Sequence, residues 1–169
     1  MNTEKEELEK GAIEEFCIAF KDDIANIRIN FVELRQPPEP DALCAFNGSD
    51  LYIEVGHIYG AVSDAKRLLG REGHVSPTKE HEISARLTPL NARLLNPLNS
   101  LLKKKASKIY IRKNSETDVW LLIRSAFPLW NQSNFEEYRE QIHIPDSHKF
   151  EQIWLLCGPR ASFGLLRLA

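Results

Sequence analysis

The sequence predicts an α/β protein in which helices flank a mixed central β-sheet. Three observations lead to this prediction: an apolar stripe at helical spacing opens the chain, three strand-like runs follow it, and a nearly continuous apolar run comes after a second helical stripe. Helical and strand-like segments in such an order are typical of a sheet covered by helices. The 169 residues, 27% charged and 43% hydrophobic, are enough for a single domain, residues 1–169, with its own core.

The composition limits the classes of function. A net charge of -2 argues against a strong general affinity for nucleic acid, although a local basic patch remains compatible with it. The odd number and wide spacing of Cys17, Cys44 and Cys157 favour reduced thiols, and with them a cytoplasmic location. No apolar run approaches the ~20 residues of a spanning helix and no signal-peptide pattern opens the chain, so we expect no membrane partner.

The first predicted helix covers residues 3–25. Thr3 is a candidate N-cap, and Glu6 lies three residues later, where it would complete a capping box. Glu9 falls near the middle of the apolar stripe, which consists of Leu8, Ala12, Ile13, Phe16, Cys17, Phe20 and Ile24. Two interpretations of Glu9 stay open: it lies one turn from a fraying end and is solvated, or it points at a bound cation.

A strand over residues 26–34 and an extended, proline-rich segment lead into a hairpin. Asn47-Gly48 lies between two apolar runs and is the strongest short-range signal for a tight turn. A two-residue turn places residue 46 opposite residue 49, so Asp41 lies opposite Glu54. Like charges on two directly opposed residues of a hairpin repel each other. A divalent cation bound between the two carboxylates would account for them.

The middle of the chain is predicted to contain two helices and a long surface segment. The first helix spans about residues 62–69, and residues 70–91 form a segment that could cover an active site. Its two histidines, His74 and His81, fit solvated loop residues better than zinc ligands. The second helix starts at 91, or at 97 with Pro97 at N1, and ends near 107.

The leucine stripe of this second helix carries Lys105 inward, one turn beyond Leu101. A buried lysine needs a partner, so Lys105 is a candidate site residue. Its neighbours Lys103, Lys104 and Lys108 have two explanations. They favour the negative end of the helix dipole, or they face a phosphate.

The C-terminal part predicts strands over residues 109–111, 119–123, 150–156 and 163–168. A short helix over 134–142, with Ser133 as N-cap, lies between them. The strand over 119–123 is almost entirely apolar, as expected of a strand buried on both faces. Trp130 and the apolar C-terminus fit either the edge of a homodimer or ordinary core packing.

These features together resemble the PD-(D/E)xK nuclease superfamily, which has the restriction-endonuclease-like fold. The resemblance rests on Pro40-Asp41, on Ile53-Glu54-Val55 followed by a small residue, and on a later lysine-bearing helix before an apolar strand. Bacterial members of the superfamily are especially similar. The resemblance implies that Asp41, Glu54 and the Val55 carbonyl hold Mg²⁺ or Mn²⁺, and that Glu9 completes the site. It also implies hydrolysis of phosphodiester bonds in DNA or RNA.

The sequence departs from the superfamily pattern at Gly56, which stands where the motif lysine is expected. Two alternatives follow. A lysine from a neighbouring helix replaces it, with Lys105 the first candidate and Lys108 and Lys66 the next, or the domain is inactive and binds protein or nucleic acid. A hydrolase built on His57 is a third alternative, but nothing in the sequence places a second group beside that histidine.

Overall fold

The computed structural model describes residues 3–24, 27–59, 90–127, 130–158 and 164–169. The helix predicted over 62–69 lies outside the described residues. So do most of the segment predicted over 70–91 and the side chains of Lys66, His74 and His81.

The described elements form one mixed sheet with helices on its faces, which confirms the predicted class. The helices are α1 (Glu4–Asp23), α2 (Leu90–Ala106) and α3 (Gln132–Glu137), with a 3-10 turn over Arg139–Gln141. The strands are β1 (Ile29–Leu34), β2 (Ala42–Phe46), β3 (Ser49–Ile58), β4 (Val119–Ser125), β5 (Gln152–Cys157) and β6 (Leu165–Arg167). They lie side by side in chain order. The central strands β3, β4 and β5 are parallel, whereas β1 to β3 form a meander and β6 is antiparallel to β5.

The α1 helix begins as predicted and covers one face of the sheet. Thr3 Oγ1 accepts a hydrogen bond from the Glu6 N–H, and Glu6 Oε2 accepts one from the Thr3 N–H at 2.6 Å. This capping box satisfies two amides that the first helical turn would leave unpaired. The apolar stripe of α1 is buried against alternate residues of β3 and β4, so the start of α1 is fixed beside the sheet.

The β2–β3 hairpin has the predicted register. Phe46 pairs with Ser49 and Ala42 pairs with Ile53. Asn47 and Gly48 have φ values of 51° and 80°, the left-handed conformations that a tight hairpin turn requires. Asp41 immediately precedes β2 and Glu54 follows Ile53, so the register carries the two acids to the same place.

Two errors concern the middle of the chain. Of the two alternative starts predicted for the second helix, residue 91 is confirmed to within one residue and residue 97 is wrong, because α2 begins at Leu90 and continues through Pro97, which is an interior residue and not N1. The buried side chains of Leu94 and Leu98 on either side of the proline hold the helix in place despite the missing N–H. The second error is the strand over 109–111. Ile109 and Ile111 are exposed, and this stretch runs irregularly towards β4.

The predictions around α3 are also corrected. The helix covers Gln132–Glu137 with Asn131, not Ser133, as N-cap, because Asn131 Oδ1 accepts the Asn134 N–H. Trp130 is 4% exposed and packs against the rings of Phe135 and Tyr138. Core packing therefore explains Trp130, and it presents no surface to a second copy of the chain. Most of the apolar C-terminus is likewise buried, in β6 and the residues around it.

Gly56 lies where Leu101 of α2 packs tightly against β3. A Cβ atom added at Gly56 would lie 2.7 Å from Leu101 Cδ2 and 3.2 Å from Leu101 Cδ1. Atoms that are not bonded do not approach so closely in a packed interior. Leu101 therefore occupies the space that a lysine at position 56 would need.

Replacing Gly56 with alanine is expected to lower the free energy of unfolding by about 1–3 kcal/mol, because the new methyl group overpacks the contact with Leu101. Urea denaturation measures the change. Gly11→Ala is the control: apart from the adjoining helix backbone, no described atom lies within 4 Å of its added Cβ, and alanine should stabilise this helical position by roughly 0.5–1 kcal/mol. Equal stabilities of Gly56→Ala and the unmodified protein would contradict the steric explanation.

Candidate active site

A cavity of about 420 Å³ lies between the start of α1, the end of α2 and strand β3. Five predicted site residues line it: Glu9, Asp41, Glu54, Val55 and Lys105. Three separate parts of the chain supply them. The α1 helix contributes Glu9, the hairpin contributes both acids and the Val55 carbonyl, and α2 contributes the lysine. The fold thus brings the predicted residues together in one place.

The two hairpin acids are buried and held differently. Asp41 is 7% exposed, and its Oδ2 accepts a hydrogen bond of 2.8 Å from the Val55 N–H, which fixes the carboxylate. Glu54 is fully buried, and its Oε1 accepts hydrogen bonds from two lysines. Its other oxygen, Oε2, is buried and accepts no hydrogen bond from any residue in the described ranges. A buried carboxylate oxygen without a partner is costly, so this atom is a candidate ligand for a cation.

Lys105 makes the contact that the leucine stripe predicted. Its Nζ lies 2.5 Å from Glu54 Oε1 and 2.7 Å from the Val55 carbonyl oxygen. Lys108 follows α2 and reaches the same Glu54 oxygen at 3.0 Å. Two lysines from the end of α2 therefore lie beside Glu54, which Gly56 follows two residues later in the chain. Lys66, the other candidate, lies outside the described residues.

Glu9 is not solvated, so the first interpretation of this residue is wrong. It is 7% exposed and forms an ion pair of 2.9 Å with Lys5, one turn earlier in α1. Lys5 Nζ also lies 3.9 Å from Asp41 Oδ1. The hydrogen bond to Glu9 raises the pKa of Lys5 and keeps it protonated. Lys5 was not predicted as a site residue, although its i,i+4 spacing from Glu9 is a recognisable ion-pair signal.

Two carboxylates of this cavity, those of Asp41 and Glu54, are the groups that would hold a divalent cation. Within the described parts of the chain, no three His, Cys, Asp or Glu side chains are grouped closely enough to hold a metal ion. Mg²⁺ commonly binds through one or two carboxylates and keeps several waters. Glu54 Oε2 and Asp41 Oδ1 are the oxygens that would contact such an ion, because the Val55 N–H and the two lysines occupy the other two. The Val55 carbonyl accepts a hydrogen bond from Lys105, so it would become a ligand only after that ammonium group moves.

Two further titratable groups border the carboxylates. Burial, and after it the charges of Arg124, Lys105 and Lys5, lower the pKa of His57 to about 4, so its ring is neutral at pH 7. Burial and the negative charge of Glu54 raise the pKa of Tyr110. The Tyr110 ring also lies 4.8 Å from Lys108 Nζ and helps to hold that lysine over the cavity.

Burial and the charge of Glu54 raise the pKa of Asp41 from 3.8 to about 6. Because the folded protein binds this proton more tightly than the unfolded chain, Asp41 contributes stability below about pH 4. That contribution is lost as the pH rises through 6. Asparagine does not titrate, so Asp41→Asn is the reference. We expect the unfolding free energy of the unmodified protein minus that of Asp41→Asn to fall by about 2–3 kcal/mol between pH 4 and pH 7. Urea denaturation in EDTA tests this, and a difference that stays constant or grows with pH would contradict it.

Comparison with protein-family models, curated proteins and solved structures found no match to this chain. The resemblance to the PD-(D/E)xK superfamily, and the restriction-endonuclease-like form of the fold, therefore stay predictions based on sequence. Among the helices that the structure describes, none has the length and apolar character needed to cross a membrane.

Proposed function

We propose that the protein is a metal-dependent nuclease that hydrolyses phosphodiester bonds in DNA or RNA. Asp41 and Glu54 serve as ligands of Mg²⁺ or Mn²⁺, and Lys105 replaces the lysine absent from position 56. The observation that carries the proposal is the contact of 2.5 Å between Lys105 Nζ and Glu54 Oε1 in a cavity that Asp41 also lines. This contact places a lysine ammonium group beside Glu54, although the residue two positions after Glu54 is a glycine and not a lysine.

The residues of the cavity have separate roles in this proposal. The Val55 N–H holds Asp41, and packing of the sheet holds Glu54, so both carboxylates are preorganised for a cation. When bound, the metal lowers the pKa of a water molecule and neutralises charge on the phosphate. The ammonium group of Lys105 then stabilises negative charge that develops on the phosphate oxygens. Glu9 orients Lys5 towards Asp41 and so acts as a positioning residue.

The second candidate function is an inactive nuclease-like domain that binds protein or nucleic acid. One observation favours it: Lys105 and Lys108 already neutralise Glu54, and Lys105 also occupies the Val55 carbonyl. A site that supplies its own cations does not require a metal ion for charge balance. In this alternative, added Mg²⁺ has no effect on stability.

Cleavage and thermal stability together distinguish the two functions. The purified protein is incubated with plasmid, single-stranded DNA and RNA in Mg²⁺, Mn²⁺ or EDTA, and its melting temperature is measured under the same conditions. The nuclease proposal expects cleavage and a rise in melting temperature with metal, both lost in Asp41→Asn. Asp50→Asn is the matched control, because Asp50 is an exposed acid of the same hairpin. Absence of cleavage together with an unchanged melting temperature would overturn the proposal.

A further inference from the structure

The candidate cavity has a cationic side and an aromatic side. Lys104, Lys105 and Lys108 come from the end of α2 and the residues after it, and they line one part of the wall. His57 and Tyr59 lie two residues apart at the end of β3 and line another part. A cavity with one cationic side and one aromatic side suits a ligand that has an anionic end and a flat, uncharged end.

Lys104 distinguishes this cavity from a simple cluster of ion pairs. Lys5, Lys105 and Lys108 each contact one of the acids. The side chain of Lys104 is exposed and makes no ion pair or hydrogen bond with any residue in the described ranges. Among the residues that the structure describes, four lysines and three carboxylates line the cavity, so cations are in excess within this set. The excess lies on the α2 side, where a phosphate of a ligand would be attracted.

The aromatic side consists of two parallel rings. The rings of His57 and Tyr59 are inclined by only 11°, and their centroids lie 6.2 Å apart. Tyr59 is half-buried, so part of its side chain faces the cavity. His57 Nε2 is buried and has no hydrogen-bond partner among the described residues. Aromatic faces of this kind stack on unpaired bases in proteins that bind single strands.

The depth of the acids restricts what can reach them. Glu54 is fully buried, and Glu9 and Asp41 are each 7% exposed. The cavity of about 420 Å³ is within the range of pockets that enclose one small ligand. A base within a paired and stacked duplex cannot enter such a site unless it leaves the stack, and leaving the stack has an energetic penalty. An unpaired nucleotide enters without that penalty.

We infer that the cavity binds an unpaired nucleotide of a single-stranded nucleic acid, with its phosphate against Lys104 and Lys105 and its base against Tyr59. This inference rests on the proposed function, because it assigns a class of substrate to the same site. It adds a specificity-determining residue, Tyr59, and an anion-binding residue, Lys104, neither of which is assigned to the hydrolysis itself.

Binding without metal tests the inference separately from cleavage. Fluorescence anisotropy in EDTA compares a labelled single-stranded oligonucleotide, as DNA and as RNA, with a duplex hairpin and an abasic strand of equal phosphate number. The single strand should bind at least about tenfold more tightly than the hairpin or the abasic strand, and the DNA and RNA arms identify the preferred sugar. Tyr59→Ala should weaken binding of the single strand by about 5- to 100-fold, and Tyr59→Phe should retain it.

Lys104→Gln should weaken binding of the single strand and the abasic strand alike. It should also reduce the salt dependence by about 0.7 in the log–log slope, the amount expected for one lost phosphate contact. Lys103→Gln is the matched control, since this exposed neighbour does not line the cavity.

Binding of the hairpin or the abasic strand as tightly as the single strand would overturn the inference, as would unchanged binding by Tyr59→Ala. Both outcomes differ from failure of the proposed function. That failure is a lack of metal-dependent cleavage, and it leaves binding in EDTA unaffected.

Discussion

Replacing Glu54 with glutamine is expected to abolish metal-dependent cleavage and to lower the free energy of unfolding by about 3 kcal/mol. Two causes act together. Glutamine is a poor ligand for Mg²⁺, and the fully buried carboxylate is the partner of both Lys105 and Lys108. Removing one member of a buried ion pair leaves the other charge without compensation, which usually destabilises by about 3–5 kcal/mol. Lys105 and Lys108 keep some access to solvent, so the lower end of this range applies.

A double-mutant cycle separates the two causes. Glu54→Gln, Lys105→Met and the combined variant are unfolded with urea in EDTA, so the ion pair is measured without metal. The combined variant should be more stable, by about 1–3 kcal/mol, than the sum of the two single effects predicts. The reason is that it removes both Glu54 and Lys105, so neither charge of this pair remains without the other. Cleavage should be absent from both variants that carry Glu54→Gln. Measurable cleavage by Glu54→Gln in Mg²⁺ would exclude Glu54 as an essential ligand.

Replacing Lys105 with methionine is expected to lower cleavage at least about 100-fold and, at the same time, to strengthen metal binding. The loss of cleavage follows from the loss of a preorganised positive charge at the phosphate. The gain in metal affinity follows from competition, because the Lys105 ammonium occupies Glu54 Oε1 and the Val55 carbonyl that a metal would otherwise use. Methionine preserves much of the side-chain volume and makes neither contact.

The metal-induced change in melting temperature measures this competition. Lys105→Met should show a larger rise than the unmodified protein at the same Mg²⁺ concentration, although it starts from a lower value in EDTA. Lys103→Met is the control. It removes a lysine of the same helical turn that does not line the cavity, so cleavage and metal response should both be unchanged. A smaller metal response in Lys105→Met would show that the lysine assists metal binding and does not compete with it.

The hairpin and its acids were predictable because local chemistry determines them. Asn47-Gly48 permits a turn of two residues, and the turn fixes the register, so the position of Asp41 relative to Glu54 follows from counting. Lys105 was predictable for a similar reason, since its helical spacing from Leu101 carries it to the buried side. In each case a short-range rule was sufficient.

Contacts between distant parts of the chain were not predictable in this way. The burial of Trp130 depends on α3, and the continuation of α2 through Pro97 depends on its packing against the sheet. The lack of space for a larger side chain at position 56 has the same kind of cause. Leu101 fills the space beside Gly56, and the sequence alone does not show that these two residues meet.

The chain order of the strands has a consequence for how the protein folds. The first three strands pair with their sequence neighbours, so the meander with Asp41 and Glu54 forms through short loops. The parallel pairing of β3 with β4 must close the 60 residues between Ile58 and Val119, which is an entropically slower event. Asp41 and Glu54 should therefore come together before α2 packs against the sheet and places Lys105 and Lys108 beside them. We expect the folding transition state to contain the acids without their counterions, so mutations at Lys105 should accelerate unfolding and leave the folding rate nearly unchanged.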